Sequence, residues 1–198
     1  METATLPLFP LHTVLFPGGP LELRIFEPRY LDMVRRCMRQ QSEFGVVTIL
    51  EGEEAGAAVR ISSLGTGARI VDFDPLPDGL LGITCLGTGR LRILRHWQQP
   101  DGLNLGEVQQ LPALAVRELP AELAHLADLL REVLPKLGRS YTHVDAHYED
   151  AGWVADRWAE VLPLKAEDKL VLLELEEPLE RLAQVAAWSA RQSTAAEE

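Results

Sequence analysis

The stretch from Leu21 to Met38, LELRIFEPRYLDMVRRCM, changes from the pattern of a strand to the pattern of a helix at one proline. Its first five residues alternate apolar and charged side chains, as in a strand with one buried face. Pro28 suits the first position of a helix, and Glu27 before it interacts favourably with the helix dipole. The apolar residues that follow recur at helical spacing: Leu31, Val34 and Met38, with Tyr30 and Cys37 beside them. We expect this helix to close one end of a barrel.

Short segments with the period of a strand make up the rest of the first half, from Leu6 to about Leu111. Apolar residues spaced by two occur at Val59 and Ile61, at Leu81, Ile83 and Cys85, and at Leu91 and Ile93. Residues 44–50 form an apolar run, typical of a central strand covered on both faces or of a short buried helix. Turn-forming residues separate the segments: Gly65, Gly67, Pro75, Pro77, Asp78, Gly79, Gly87 and Gly89. Closely spaced strands of this kind favour a small barrel or sandwich.

After Pro112 the apolar period becomes helical. Leucines spaced by three or four run from Leu119 to Leu137, with Pro120 at the start, and Pro135 is expected to kink or end that helix. Further helical patterns cover residues 153–162, residues 164–175 and a last segment that Pro178 opens.

We therefore predict an α+β chain with a β-barrel in residues 1–114, a helical bundle in residues 115–192 and a frayed tail in residues 193–198. Because no long Gly/Ser linker joins the halves, we expect them to pack on each other.

Charge and composition favour a cytoplasmic protein that does not bind nucleic acid. The net charge of -11 opposes the phosphate contacts on which nucleic-acid affinity depends. No apolar run approaches the twenty or so residues of a membrane span, and the N-terminus lacks the pattern of a signal peptide. Cys37 and Cys85 match no metal-ligand spacing, so we interpret them as free thiols in the core.

A long motif occupies the first thirty residues: LPLFPL at 6–11, VLFPG at 14–18 and LELRIFEPRY at 21–30. It closely resembles the start of the N-terminal domain of the Lon protease family. The resemblance continues through Phe44-Gly45-Val46, GTGARI at 65–70 and GTGRLRI at 87–93. The segment from Trp153 to Leu164, with Arg181-Leu182, resembles the helical part of small bacterial members.

This resemblance implies a PUA-like β pseudo-barrel with one or two inserted helices, followed by an α-helical bundle. It also implies a role in recognising protein substrates. In Lon an ATPase and a Ser/Lys peptidase follow this domain, whereas here the sequence ends at Glu198. The expected protein is therefore a stand-alone bacterial relative of these peptidases that is not an enzyme.

The residues themselves offer no catalytic assembly, and we expect neither a metal nor a cofactor. The lysines are Lys136, Lys165 and Lys169, and none follows a glycine as a phosphate-binding loop requires. A Ser/Lys dyad is not excluded by spacing, but solvated lysines on polar helix segments are the commoner case. His143 and His147 are spaced for a helical metal site, yet a solvated connection with helix-capping acids explains them better.

Three further patterns have simple structural explanations. Residues 27–30, Glu-Pro-Arg-Tyr, are interpreted as a helix cap and a charge pair rather than a catalytic motif. Gly65-Thr66-Gly67 and Gly87-Thr88-Gly89 lack the strand-turn-helix context of dinucleotide binding, so we interpret them as turns or bulges. The tryptophans with helical spacing are interpreted as core residues: Trp153, Trp158 and Trp188.

The favoured hypothesis is a module that holds unfolded or extended polypeptide on a groove or sheet edge within residues 6–112. Phe73, Leu76 and Leu80, which interleave with turn-forming residues, are the predicted peptide contacts, and a hairpin tip folded onto its own barrel is the alternative. Two other functions stay open: an adaptor for a separate ATPase or protease, and an RNA-binding PUA-like protein. The RNA hypothesis rests on a basic stripe with one aromatic residue: Arg90, Arg92, Arg95 and Trp97.

Overall fold

A computed structural model describes residues 3–52 and 60–195 of the chain. These residues form two compact units, Met1–Pro112 and Ala113–Glu198. Val59, part of one of the predicted strand patterns, lies outside the described residues.

The first unit consists of six strands and one helix, whose bounds are β1 Thr3–Leu11, β2 Pro20–Ile25, α1 Pro28–Gln40, β3 Phe44–Glu51, β4 Arg60–Pro75, β5 Leu81–Gln98 and β6 Asn104–Gln110. The sheet order is β2-β5-β4-β3-β1-β6, and β5 also pairs with β6. Five strands thus close on themselves, while β2 extends the sheet from the first half of β5. Only the β1–β3 pair is parallel among the described strands. The predicted pseudo-barrel is confirmed.

The two longest strands, β4 and β5, run straight through the Gly-Thr-Gly segments, which the sequence pattern predicts to separate short strands. Their ladder shifts register between Thr66 and Ala68, so the interpretation as bulges is correct and the interpretation as turns is wrong. The glycines are needed for close backbone approach. A Cβ on Gly65 would lie 2.5 Å from the Val46 carbonyl oxygen, and a Cβ on Gly87 would overlap the carbonyl oxygen of Phe16.

Helix α1 packs into the core of this unit, and its buried face includes Met33 in place of the predicted Met38. Its buried residues are Tyr30, Met33, Val34 and Cys37. Met38 is 40% exposed because one residue turns a helix by about 100°, which carries it off the buried face. The Tyr30 ring stacks on Phe9 with 4.0 Å between ring centroids. The run from Phe44 is the buried strand β3, and the helical alternative is wrong.

The second unit is helical, with α2 Ala124–Val133, α3 Ala151–Val161, α4 Ala166–Glu174 and α5 Pro178–Ala195. Short 3-10 turns cover Ala121–Leu123, Leu134–Lys136 and Arg139–His143. The α-helix ends at Val133, as expected from Pro135, whose ring would clash with the preceding turn of a continued α-helix. Helix α5 continues to Ala195, so the first residues of the predicted frayed tail are helical, and residues 196–198 lie outside the described part.

Candidate functional site

The three predicted peptide contacts lie on the hairpin that joins β4 to β5. The turn is closed by the Leu76 amide, which donates to the Leu80 carbonyl at 2.8 Å, and by Gly79, which has a positive φ of 81°. Leu76 and Leu80 are half-buried, whereas Phe73 is 55% exposed. The structure therefore places all three on one hairpin, but only Phe73 presents most of its side chain to solvent.

A second exposed aromatic residue, which the sequence reasoning missed, lies at the same end of the sheet. Phe26 follows β2 directly and is 65% exposed. The register places Ile25 opposite Leu81, and Leu81 opposite Pro75, so the end of β2 and the hairpin are neighbours. The sequence contains a signal for this exposure. Neighbouring residues of a strand point to opposite faces, so a buried Ile25 predicts that the adjacent Phe26 faces away from the core.

Two surface pockets flank these aromatic residues. One, of about 260 Å³, lies between α1 and β4, and Met38 and Phe73 contribute to its lining. The other, of about 280 Å³, lies beside β2 and is lined in part by Phe9, Leu23 and Phe26. Exposed apolar side chains next to concave surfaces are the usual features of a site that binds an apolar partner.

The Glu-Pro-Arg-Tyr segment is structural, although not entirely in the way expected. Glu27 occupies the N-cap position of α1 but makes no side-chain capping bond. Instead its carboxylate pairs with Arg29 at 2.8 Å. The Arg29 guanidinium also donates to the Gly102 carbonyl at 2.6 Å, so this arginine ties the start of α1 to the loop before β6.

The polar candidates in the second unit form no reactive cluster. His143 ends a 3-10 turn, the His147 ring packs edge-on against Trp153, and Asp150 caps α3 by accepting from the Gly152 amide. Among residues 3–52 and 60–195, no group of three or more His, Cys, Asp or Glu is arranged to hold a metal ion. Lys169 is half-buried rather than solvated, and it donates to the Glu160 carbonyl at 3.0 Å.

A buried ionic network, absent from the predictions, connects the helices of the second unit. Arg157 on α3 binds both carboxylate oxygens of Glu160, at 2.6 and 2.8 Å, and its side chain is fully buried. Arg181 on α5 pairs with Asp156 at 2.5 Å and donates to the Leu175 carbonyl at 2.6 Å. Burial raises the pKa of Glu160 to about 7, against the lowering effect of the neighbouring guanidinium. Through the Arg181–Asp156 pair, the network holds α5 against α3.

Both cysteines and two of the three tryptophans lie in the interior, as predicted. Trp153 and Trp158 are each 8% exposed, and the Trp158 indole donates to the Leu126 carbonyl, while Trp188 is half-buried. Cys37 and Cys85 are free and buried, and burial raises the pKa of the Cys85 thiol to about 12.

The basic stripe on β5 is not a uniform positive surface. Arg90 is buried, at 5% exposure. Arg95 pairs with Glu107 at 2.5 Å and lies over the Trp97 ring at 5.4 Å. Of these three arginines Arg92 and Arg95 are exposed, and an acidic neighbour already neutralises Arg95.

None of the helices in the described part of the chain is long and apolar enough to cross a bilayer.

Sequence comparison relates the chain to one family. It matches the ATP-dependent protease La (LON) substrate-binding domain over residues 5–188. The Lon protease of Anaeromyxobacter dehalogenans is 28% identical over 178 residues, which are 86% of this chain and 21% of that protein. The chain thus spans about a fifth of the length of that relative.

Solved structures agree on the fold. The crystal structure of a Lon N-terminal domain protein from Xanthomonas campestris has 40% sequence identity and a TM-score of 0.75, and covers 93% of this chain and 98% of its own. The N-terminal domain of the Lon protease of the Mycobacterium avium complex has 19% identity and a TM-score of 0.63 over 94% of this chain and 98% of its own. The second likeness concerns the fold alone.

Proposed function

Because this chain belongs to the family of LON substrate-binding domains, we propose that it binds unfolded or extended polypeptide and catalyses no reaction on it. The family match over residues 5–188 is the observation that carries the proposal. The part of Lon that the chain matches is the substrate-binding domain, about a fifth of the relative's length. Any processing of the bound polypeptide, such as unfolding by an ATPase or hydrolysis by a protease, is accordingly assigned to a separate protein.

The exposed apolar residues of the first unit support this proposal and suggest where polypeptide binds. Phe26 and Phe73 lie at one end of the sheet, and each lines a surface pocket. Transfer of a phenylalanine-sized side chain from water into an apolar contact stabilises a complex by about 1.5–3 kcal/mol. We therefore propose Phe73, with the half-buried Leu76 and Leu80 beside it, as a contact for apolar segments of the bound chain.

Polypeptide is favoured over RNA by the state of the arginines on β5. Arg90 is buried and Arg95 is neutralised by Glu107, which leaves little free positive charge for phosphate groups.

Binding to a permanently unfolded protein tests the proposal. The ligand is a globular protein kept unfolded by reduction and alkylation with an uncharged reagent, and the same protein in its native state is the control. We expect the chain to bind the unfolded form and not the native form. Phe73→Ser should weaken that binding about tenfold, which corresponds to about 1.4 kcal/mol.

The matched control variant is Val171→Ser. Val171 lies on α4 and is 51% exposed, a fraction close to the 55% of Phe73, so the change removes an exposed apolar side chain at an unrelated place. Equal affinity for unfolded and native protein would contradict the proposed function. Equal affinities of wild type and Phe73→Ser would instead remove the hairpin from the binding surface.

A further inference from the structure

We infer that the outer edge of β2 forms part of the polypeptide-binding site, and that it accepts an extended segment as an additional strand with a large apolar residue seated in the adjoining pocket. This inference rests on the proposed function and specifies where and how the ligand is held. It also names a ligand chemistry, which is an extended segment carrying an apolar residue beside a basic one.

Strand β2 is an edge strand. It pairs with β5 in the register Pro20 to Leu86 through Ile25 to Leu81, and it has no second strand partner within the described residues. Edge strands present unpaired backbone groups, and these can bind a further extended chain.

The alternation of an antiparallel ladder identifies which backbone groups face outward. The Gly87 amide donates to the Gly19 carbonyl at 2.8 Å, so this pair is a hydrogen-bonded one. Counting by two from Gly87 along β5, residues 85, 83 and 81 exchange bonds with residues 21, 23 and 25 of β2. The amides and carbonyls of Glu22 and Arg24 therefore point away from β5.

These outward groups suit a short extended ligand. Glu22 and Arg24 each offer one donor and one acceptor, about 7 Å apart along the strand. Pro20, which has no amide hydrogen, stands at the beginning of β2, a position that prolines occupy in edge strands. An extended segment of about five residues is long enough to form hydrogen bonds with all of these outward backbone groups.

A pocket of about 280 Å³ adjoins this edge and is mainly apolar. Its lining combines the end of β1, β2 and the start of α1, through Phe9, Leu11, Leu23, Phe26 and Tyr30. Because side chains of a bound strand alternate between two faces, every second residue of the ligand can point to this pocket. The pocket therefore provides an anchor for one large apolar side chain.

Charge at the edge favours a basic residue next to that anchor. Three charged residues line the pocket, and two of them are paired: Arg24 with Asp78 of the hairpin turn, and Glu27 with Arg29. Glu22, the third, is exposed and has no ion pair within the part of the chain that the structure describes. A lysine or arginine of the ligand would compensate its charge.

The test uses the full chain and a labelled seven-residue peptide with a central phenylalanine, lysines on either side of it and threonines elsewhere. Fluorescence anisotropy measures the Kd. Glu22→Pro removes an outward amide without breaking the ladder to β5, and we expect it to weaken binding at least about tenfold. Glu22→Gln keeps the amide, so it should weaken binding of this peptide only a few-fold and leave a peptide without lysines unaffected.

Two N-methylated peptides keep the test decisive even if Glu22→Pro fails to fold. N-methylation of every second amide blocks one edge of an extended peptide and leaves the other edge intact. One of the two methylation registers should therefore abolish binding to wild type, while the other should be tolerated. Equal binding of both peptides and their parent would overturn strand addition.

The remaining outcomes separate this inference from the proposed function. If wild type and Glu22→Pro bind reduced and alkylated protein equally well, the edge is not the site, although polypeptide binding stands. If wild type binds neither that protein nor the peptide, both ideas fail. If Glu22→Pro turns a dimer into a monomer by light scattering with peptide binding unchanged, the edge belongs to a second copy of this chain, and the inference is wrong.

Discussion

At the scale of single residues, glycines of β4 and β5 lie where other parts of the barrel approach the backbone too closely for a Cβ atom. Gly87 faces the carbonyl oxygen of Phe16, a backbone atom that has little freedom to move. Gly89, two residues along the same strand, faces instead the side-chain amide of Gln110, which ends a flexible chain. The two glycines are close in sequence and lie in the same strand, so they form a matched pair.

We expect Gly87→Ala to lower the free energy of unfolding by about 2 kcal/mol or more, because the new methyl group overlaps backbone. Gly89→Ala should cost clearly less, since the Gln110 side chain can rotate away from the contact at 2.9 Å. Urea unfolding followed by circular dichroism measures both. Equal losses would show that the position in the strand, and not the contact, determines the cost.

At the scale of elements, the buried Arg181 joins helices of the second unit. Arg181 on α5 pairs with Asp156 on α3 and donates a hydrogen bond to the carbonyl of Leu175, which follows α4. The Arg181 side chain is only 1% exposed. Removal of one partner of a buried pair leaves an uncompensated charge in a medium of low dielectric constant.

Arg181→Met should therefore lower the free energy of unfolding by about 3–5 kcal/mol. The double variant Asp156→Leu with Arg181→Met should recover part of this loss, because it buries no unpaired charge. Arg131→Met, which breaks an exposed pair with Asp128, is the control and should cost less than about 1 kcal/mol. Tryptophan fluorescence during urea unfolding reports the transition, and a double variant less stable than Arg181→Met would contradict the explanation.

At the scale of the whole molecule, the chain divides into Met1–Pro112 and Ala113–Glu198, and the first unit has its own buried core. We propose that these units correspond to separable domains, with the polypeptide-binding function in the first. Units with their own cores can fold independently.

A fragment ending at Pro112 should unfold in one cooperative transition and bind the labelled peptide with an affinity close to that of the full chain. Calorimetry and fluorescence anisotropy check the two expectations. Cooperative unfolding without binding would place part of the site in residues 113–198. A fragment that shows no cooperative transition would mean that the first unit depends on the second.

Local patterns were sufficient for much of this description. The alternation from Leu21 to Ile25 and the proline at position 28 gave the strand β2 and the start of α1 correctly. The leucine period after Pro112 predicted helical structure, although α2 begins at Ala124 and not at Pro120, and Pro135 predicted the end of α2. Each of these signals depends on steric and polar preferences within a few residues, which the sequence states directly.

Only the tertiary structure decided which backbone groups and side chains meet across the fold. Glycines that are typical of turns lie inside β4 and β5, because a distant carbonyl leaves no room for a Cβ. Arg157 and Arg181 are buried because carboxylates on the same or another helix compensate them. The free edge of β2 exists because strand pairing elsewhere closes the barrel without it. Apart from the Arg157–Glu160 pair on α3, these contacts join residues far apart in sequence, so no local period records them.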